Sequence, residues 1–336
     1  MTTEQKNKRQ LLKKLLGRNL YDNLRTRYLF RETESPFPLH QEQKFDPRWD
    51  EFVKPQVSRK EKMIYLVSPT QRSGTNFLSH ILEKHPDIGF PKGEEVPNEH
   101  CLYAYSEFLK TYSQKTVSAW SKWIEGGEEE WANRSKKLIS AMGNGIREYF
   151  HSFIEEDKML LLRTPDSGNL QNFFHLFPES RVVILIRDGR DTVESFSKSW
   201  GGTGAFKKMC DRWSERVEML LKFTENAKNS GFGDSFLIVR YEDLNVNTES
   251  ELRKVLEFLD LNQDSYDWED LANTPILGSS TYKGGADDVH WKPIEKTKDF
   301  KPDQKWKDWS SSKKSYFKKS AGENLIRLGF EKDNNW

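Results

Sequence analysis

Residues 181–186 read RVVILI, a run of strand length in which every position after Arg181 is apolar. A strand sends alternate side chains to opposite faces of its sheet, so such a run must be covered on both sides. Sheets covered on both sides are typically parallel, with helices packed above and below. Shorter runs of the same kind occur at Met63–Ser68, Met159–Leu162 and Phe236–Arg240. Helical periodicity fills the intervals, over Thr75–Glu83 and residues 133–154, 167–175, 189–199, 205–229 and 248–260. This alternation predicts an α/β fold of three layers, helices on both faces of a central, mainly parallel sheet. Ligands of these sheets bind beyond the carboxyl ends of the strands. Three segments lie there: Ser68–Asn76, Arg163–Asp166 and Arg187–Arg190.

Outside this alternation the chain has two distinctive parts. Residues 1–60 predict a basic N-terminal helix, with Leu11, Leu12, Leu15, Leu16 and Leu20 at helical spacing, followed by a proline-containing extended arm. Peripheral contact with a membrane surface or partner through residues 1–30 fits that pattern. Residues 61–330 form the main domain. Within it, residues 100–155 predict a helical insertion carrying Trp120, Trp123 and Trp131, expected to cap the ligand side. The charge is nearly balanced, with 53 basic and 52 acidic residues, which argues against a general nucleic-acid binder. Any anion site must therefore be local. Two cysteines make no disulfide framework, no apolar stretch approaches the roughly 20 residues that span a bilayer, and the N-terminus has no apolar signal region. A cytoplasmic protein is the expectation.

The first strand runs into Ser68-Pro69-Thr70-Gln71-Arg72-Ser73-Gly74-Thr75-Asn76 and then a helix. Backbone N–H groups at a helix N-terminus and the positive end of its dipole form an anion site. Gly74 lets the backbone approach closely, Ser73, Thr75 and Asn76 add donors, and Arg72 adds a guanidinium suited to phosphate oxygens. A Walker A loop would place Lys-Ser/Thr directly after its second glycine. Here Thr75 follows Gly74 and the cation precedes it, so the anion is expected to be held by dipoles and arginine rather than by a metal.

A second constellation follows RVVILI. Arg187 ends that strand at the ligand edge, Asp188 is placed to cap the next helix, and Ser195 lies about two turns along it. Arginine and hydroxyl can together hold a second phosphate. Two phosphate sites on neighbouring strand edges suit a nucleotide with phosphates at both ends.

These residues resemble the sulfotransferases that use 3′-phosphoadenosine-5′-phosphosulfate (PAPS). In that family a Pro-Arg/Lys-Ser-Gly-Thr loop binds the 5′ end, and an arginine followed eight residues later by a serine binds the 3′-phosphate. This chain has Gln71 through Asn76 and Arg187 through Ser195. Tyr241 of Arg240-Tyr241-Glu242-Asp243-Leu244 is similar to the family's tyrosine near adenine, and Phe77 stands where some members stack an aromatic ring. Lys283-Gly284 followed by Trp291 resembles the late loop over the 3′-phosphate. The resemblance implies a P-loop-like sulfotransferase fold over residues 61–330. It also implies PAPS as cosubstrate, with adenosine 3′,5′-bisphosphate as product, and sulfuryl transfer to a hydroxyl or amine. Gln71 departs from the usual proline.

Transfer also needs a proton acceptor and positive charge at the departing oxygen. Arg72, with Arg163 in support, suits the second task. The histidine used by cytosolic small-molecule members is replaced by Pro165. Instead His85-Pro86-Asp87-Ile88 through Gly93-Glu94-Glu95 resembles the protein-tyrosine sulfotransferase branch, whose second glutamate is the base. That implies Glu95, with Glu94 in reserve and His80 and His100 as outsiders. A P-loop kinase or NTPase and an inactive nucleotide-binding protein are the competing readings. The acceptor is left open among glycan, peptide, lipid and small alcohol.

Overall fold

The computed structural model describes residues 63–93, 96–120, 123, 125–200, 204–272, 274 and 303–336. The N-terminal helix and arm expected over residues 1–60 lie outside them. Five parallel strands form one sheet in the order β2-β3-β1-β4-β5. They are β1 Met63–Val67, β2 Ile88–Gly89, β3 Met159–Thr164, β4 Arg181–Ile186 and β5 Phe236–Arg240. In register, Val67 pairs with both Thr164 and Ile184, and Ile186 with Arg240. β1 is central, with β2 and β3 on one side of it and β4 and β5 on the other. The crevice where the two sides meet lies above the ends of β1 and β4.

Alternation along the strands divides the core. Met63, Tyr65, Val67, Leu160, Leu162, Val182 and Ile184 face one apolar cluster. Ile64, Leu66, Leu161, Val183 and Leu185 face the other. Helices α1 (Thr75–Leu82), α2 (Ser106–Trp120), α3 (Gly127–His151), α4 (Phe173–Leu176), α5 (Gly189–Trp200) and α6 (Ala205–Asn229) follow in chain order. Then come α7 (Tyr241–Val246), α8 (Thr248–Phe258), α9 (Trp268–Ala272) and α10 (Ser311–Arg327). α1, α7 and α8 contribute to the second cluster, whereas α3, α4 and α6 contribute to the first. A third cluster joins α5, α6 and α10 around Trp213, Trp309 and Phe317. The three-layer α/β/α arrangement is therefore as expected.

Several boundaries differ from the sequence expectation. β3 continues to Thr164, which puts Arg163 inside the strand, because Tyr65 OH and the Cys101 N–H both bond the Thr164 hydroxyl. Residues 167–175 are not one helix. A 3-10 turn at Leu170–Asn172 leads into the four-residue α4, and Asn169 opens it in a left-handed conformation. The edge strand β2 carries no pattern of its own, being two residues long. Helix α7 follows β5 directly, over residues for which the sequence carried no helix expectation.

The insertion consists of α2 and α3. Its start is tied to the β3 edge by Tyr103 OH, which donates to the Asp166 carbonyl, and by Asn169, which donates to the Ala104 carbonyl. Tyr105, Phe108, Tyr112, Trp120 and Trp123 are exposed, and Trp131 is half-buried. No helix among the described residues is long and apolar enough to cross a membrane. Cys101 and Cys210 form no disulfide.

α3 packs closely on α4 at Gly143, where an added Cβ would lie 1.9 Å from the Leu176 carbonyl oxygen. Gly143→Ala should therefore destabilise the protein by about 1–3 kcal/mol, despite alanine's better helix propensity. A lowered urea midpoint at unchanged m-value would show it. An unchanged midpoint would mean that the insertion is not seated on α4.

Candidate functional site

The first loop folds onto itself before α1 begins. Ser68 and Ser73 both donate their hydroxyls to the Thr70 carbonyl, at 2.9 and 2.8 Å. Arg72 and Gly74 then take positive φ angles, 75° and 95°. That conformation is free for glycine but costly for arginine, so the surrounding contacts hold Arg72 in place. A Cβ on Gly74 would lie 2.3 Å from the Tyr241 ring, so the tyrosine packs against bare backbone. Phe77 and Leu78 donate the first helical hydrogen bonds to the Gly74 carbonyl, at 3.0 and 3.1 Å. The Thr75 and Asn76 N–H groups precede that ladder, at the positive end of the helix.

The second constellation joins the first directly. Arg187 is buried, and its Nη1 donates to the Arg72 carbonyl at 2.7 Å. Its guanidinium lies 4.6 Å from the Tyr241 ring centroid. Arg72 Nε in turn donates to Ser195 Oγ at 3.0 Å. Asp188 caps α5 as expected, its Oδ1 accepting the Arg190 N–H at 2.8 Å. Gly189 lets the start of α5 sit against Trp213, whose ring would be 2.5 Å from a Cβ there. The two motifs, over 100 residues apart in the chain, thus form one cluster with Tyr241 as its floor.

Like charges are crowded in this cluster. Burial first, and then Arg187, push the Arg72 guanidinium down to about 10. The same causes act on Lys305, a residue that sequence reasoning missed. Burial, then Arg187 and Lys198, lower its ammonium to about 8; Asp191 opposes this and Arg72 adds to it. Lys305 opens a 3-10 turn that runs to Asp308. Its approach to Arg187 is a tertiary event, and only its Lys-Trp neighbours mark it in the sequence. At neutral pH all three groups carry positive charge, and their mutual repulsion is relieved by an anion placed among them.

Other candidates lie elsewhere. Arg163 is buried on the α1 side of the sheet, where Nε donates to the Asn98 carbonyl at 2.8 Å and Nη1 to Ser79 Oγ at 2.5 Å. Phe77 is buried among apolar side chains of the α1 face. His100 is also buried, accepts the Arg163 N–H through Nδ1 at 3.1 Å, and is driven down to about 4 by burial. His80 pairs with Glu83 at 2.9 Å. Both histidines are thus engaged structurally. Glu94, Glu95, Lys283, Gly284 and Trp291 lie outside the described residues. Glu99, unremarked in the sequence, accepts from Gln71 Nε2 of the phosphate loop at 3.1 Å. Burial raises its carboxyl above the usual range, against the pull of Gln71 and Arg163.

A model of the sulfotransferase family matches residues 66–265, more than half of the chain and including both constellations. The chain belongs to the sulfotransferase family. It is 28% identical to protein-tyrosine sulfotransferase A of Caenorhabditis elegans over 207 residues, covering 57% of this chain and 48% of that protein. It is 26% identical to the protein-tyrosine sulfotransferase of Drosophila melanogaster over 225 residues, covering 64% and 42%. These matches span about half the length of either relative or less. Among solved structures, the sulfotransferase domain of the Synechococcus PCC 7002 olefin synthase superposes with a TM-score of 0.50 at 17% identity, covering 84% of this chain and 99% of that one. That likeness bears on the fold alone and agrees with the sheet described above.

The crowding of cations at this sulfotransferase site is measurable. Lys305 should react with acetic anhydride half-maximally near pH 8, whereas exposed lysines should require a pH near 10. Mass spectrometry of the labelled peptide reads the midpoint. A midpoint near 10 would place Lys305 away from Arg72 and Arg187.

Proposed function

We propose that this chain transfers the sulfuryl group of PAPS to a hydroxyl or amine acceptor by in-line displacement, without a metal ion. The observation that supports this reading most directly is the convergence of Arg72, Arg187 and Lys305 over a helix N-terminus, with the Tyr241 ring against Gly74. A single phosphate does not require cations from three separate segments of the chain. A nucleotide with phosphates at both ends does.

When bound, PAPS would supply an activated sulfuryl group on a phosphate leaving group. Thr75 and Asn76 N–H groups and Arg72 would receive the 5′ end, while Arg187 and Ser195, with Lys283 and Gly284 by resemblance, would hold the 3′-phosphate. Tyr241 would meet the adenosine. As the acceptor oxygen bonds to sulfur, the sulfur–oxygen bond to the nucleotide breaks, and its electron pair stays on the nucleotide phosphate. Arg72 neutralises that charge. Its lowered but still cationic guanidinium suits the task, because its field is only partly shared with water.

The acceptor proton passes to a glutamate preceding the insertion. The resemblance assigns this role to Glu95. Geometry favours a second candidate, Glu99, whose carboxyl meets Gln71 of the loop and has the raised affinity for protons a base needs. The exposed aromatic side of α2 and the rest of the insertion form the acceptor side. The names of the curated relatives make a tyrosyl peptide the first acceptor to try.

Adenosine 3′,5′-bisphosphate in the presence of EDTA should raise the melting temperature, corresponding to about 2.7 kcal/mol at a hundredfold excess over Kd. No shift at saturation would eliminate the nucleotide reading, and a shift that needs magnesium would favour the kinase or NTPase reading. Glu95→Gln and Glu99→Gln should both bind bisphosphate normally. Replacing the true base should lower kcat for sulfuryl transfer to a tyrosyl peptide by about 10²–10⁴. Full activity in both variants would remove this pair from the proton path.

A further inference from the structure

Asp191 lies in the phosphate-binding stretch, between Arg187 and Ser195, yet it is an acid. A carboxylate beside an anion site repels the ligand, so its presence calls for a compensating role. It is almost fully buried, and both of its oxygens are used. Oδ2 accepts the Gln304 N–H and Oδ1 the Lys305 N–H, each at 2.8 Å. Gln304 takes a positive φ of 60°, so this paired grip fixes an unfavourable turn directly before the lysine.

Neighbouring contacts hold the same segment against α5. Arg190 lies 3.7 Å from the Trp306 ring centroid, and Trp309 Nε1 donates to Glu194 at 2.7 Å. Those two grips act on the far side of the turn. Asp191 accepts the backbone N–H groups of Gln304 and Lys305 themselves. The charged groups around its carboxylate are Arg187, Asp188 and Lys305.

Resting on the nucleotide reading above, we propose that Asp191 is a positioning residue: its carboxylate fixes the Gln304–Lys305 backbone so that the Lys305 ammonium joins Arg72 and Arg187 on the nucleotide phosphate. Asp191 does not touch the ligand. It trades some direct repulsion of the anion for a third cation in place.

Electrostatics alone and positioning predict opposite signs. Asp191→Asn removes a negative charge beside the site and, by charge alone, would tighten adenosine 3′,5′-bisphosphate binding. The amide offers only one acceptor oxygen, so by positioning it should weaken binding, about tenfold in calorimetric titration. In a Lys305→Met background the same replacement should change affinity less than about threefold, since additivity fails for residues that act together. Lys305 labelling gives a second readout. In Asp191→Asn its midpoint should rise from about 8 as the ammonium leaves the cation cluster, whereas simple charge removal would lower it.

If Asp191→Asn fails to fold, Asp191→Glu keeps the charge and shifts the carboxylate by one methylene. It should show the same loss of affinity and the same dependence on Lys305. Unchanged or tighter binding in the folded variants, or equal losses in both backgrounds, would overturn the role of Asp191. Failure of the wild-type protein to bind bisphosphate would instead overturn the nucleotide reading on which it rests.

Discussion

Confining like charges at one edge of the sheet is the constraint on which the rest of the site depends. Arg72, Arg187 and Lys305 would separate if they stood on free loops. They stay together because each is held by backbone or buried contacts. The Arg72 carbonyl accepts from Arg187, Ser195 accepts from Arg72, and Asp191 grips the turn that begins at Lys305. Burial first, and the neighbouring cations second, depress the proton affinity of Arg72 and Lys305. An anion placed among them would meet cations that the fold already holds in position.

The sheet makes this confinement possible. β1 and β4 are hydrogen-bonded neighbours, with Val67 opposite Ile184, so the loop after β1 and Arg187 after β4 must share one edge. The apolar run of β4 is buried on both faces, which fixes its register. Arg187 then inherits a defined position from packing that is remote from any ligand. Trp213 against Gly189 aligns α5, and with it Ser195 and Asp191. The third apolar cluster, around Phe317 and Trp309, supports the segment that delivers Lys305. Core and site are therefore one mechanical unit: a cavity near Trp213 would loosen three phosphate-side residues at once.

How much of this was legible in the sequence follows from the range of the interactions. RVVILI announced a doubly covered parallel strand because burial on two faces leaves a continuous apolar signature. The Ser73-Gly74-Thr75 turn and the Asp188 cap were legible because a helix start is a local event with local residue demands. Lys305 and Glu99 were not, since each acquires its role only through contacts with distant segments: Arg187 for one, Gln71 for the other. The reading of residues 167–175 as one helix failed because apolar spacing says nothing about Asn169, whose left-handed backbone breaks the run. Arg163 stood at a strand end in the sequence. In the fold it is still strand, with its guanidinium turned to Ser79 and Asn98.

Gln71 links these threads. It departs from the family's usual proline, and proline could neither donate a side-chain hydrogen bond nor follow the chain's course as freely. The glutamine donates its amide to Glu99, joining the loop that receives the anion to the segment that leads into the insertion. The Glu99 carboxyl is held between opposing influences: burial and Asp166 favour its neutral form, while Gln71 and Arg163 favour the charged form. A group balanced in this way can accept a proton without being locked as a carboxylate by a strong ion pair. Gln71 and Glu99 therefore tie the loop after β1 to the segment that leads into the insertion. The departure at Gln71 gives the loop a side-chain contact that proline could not make.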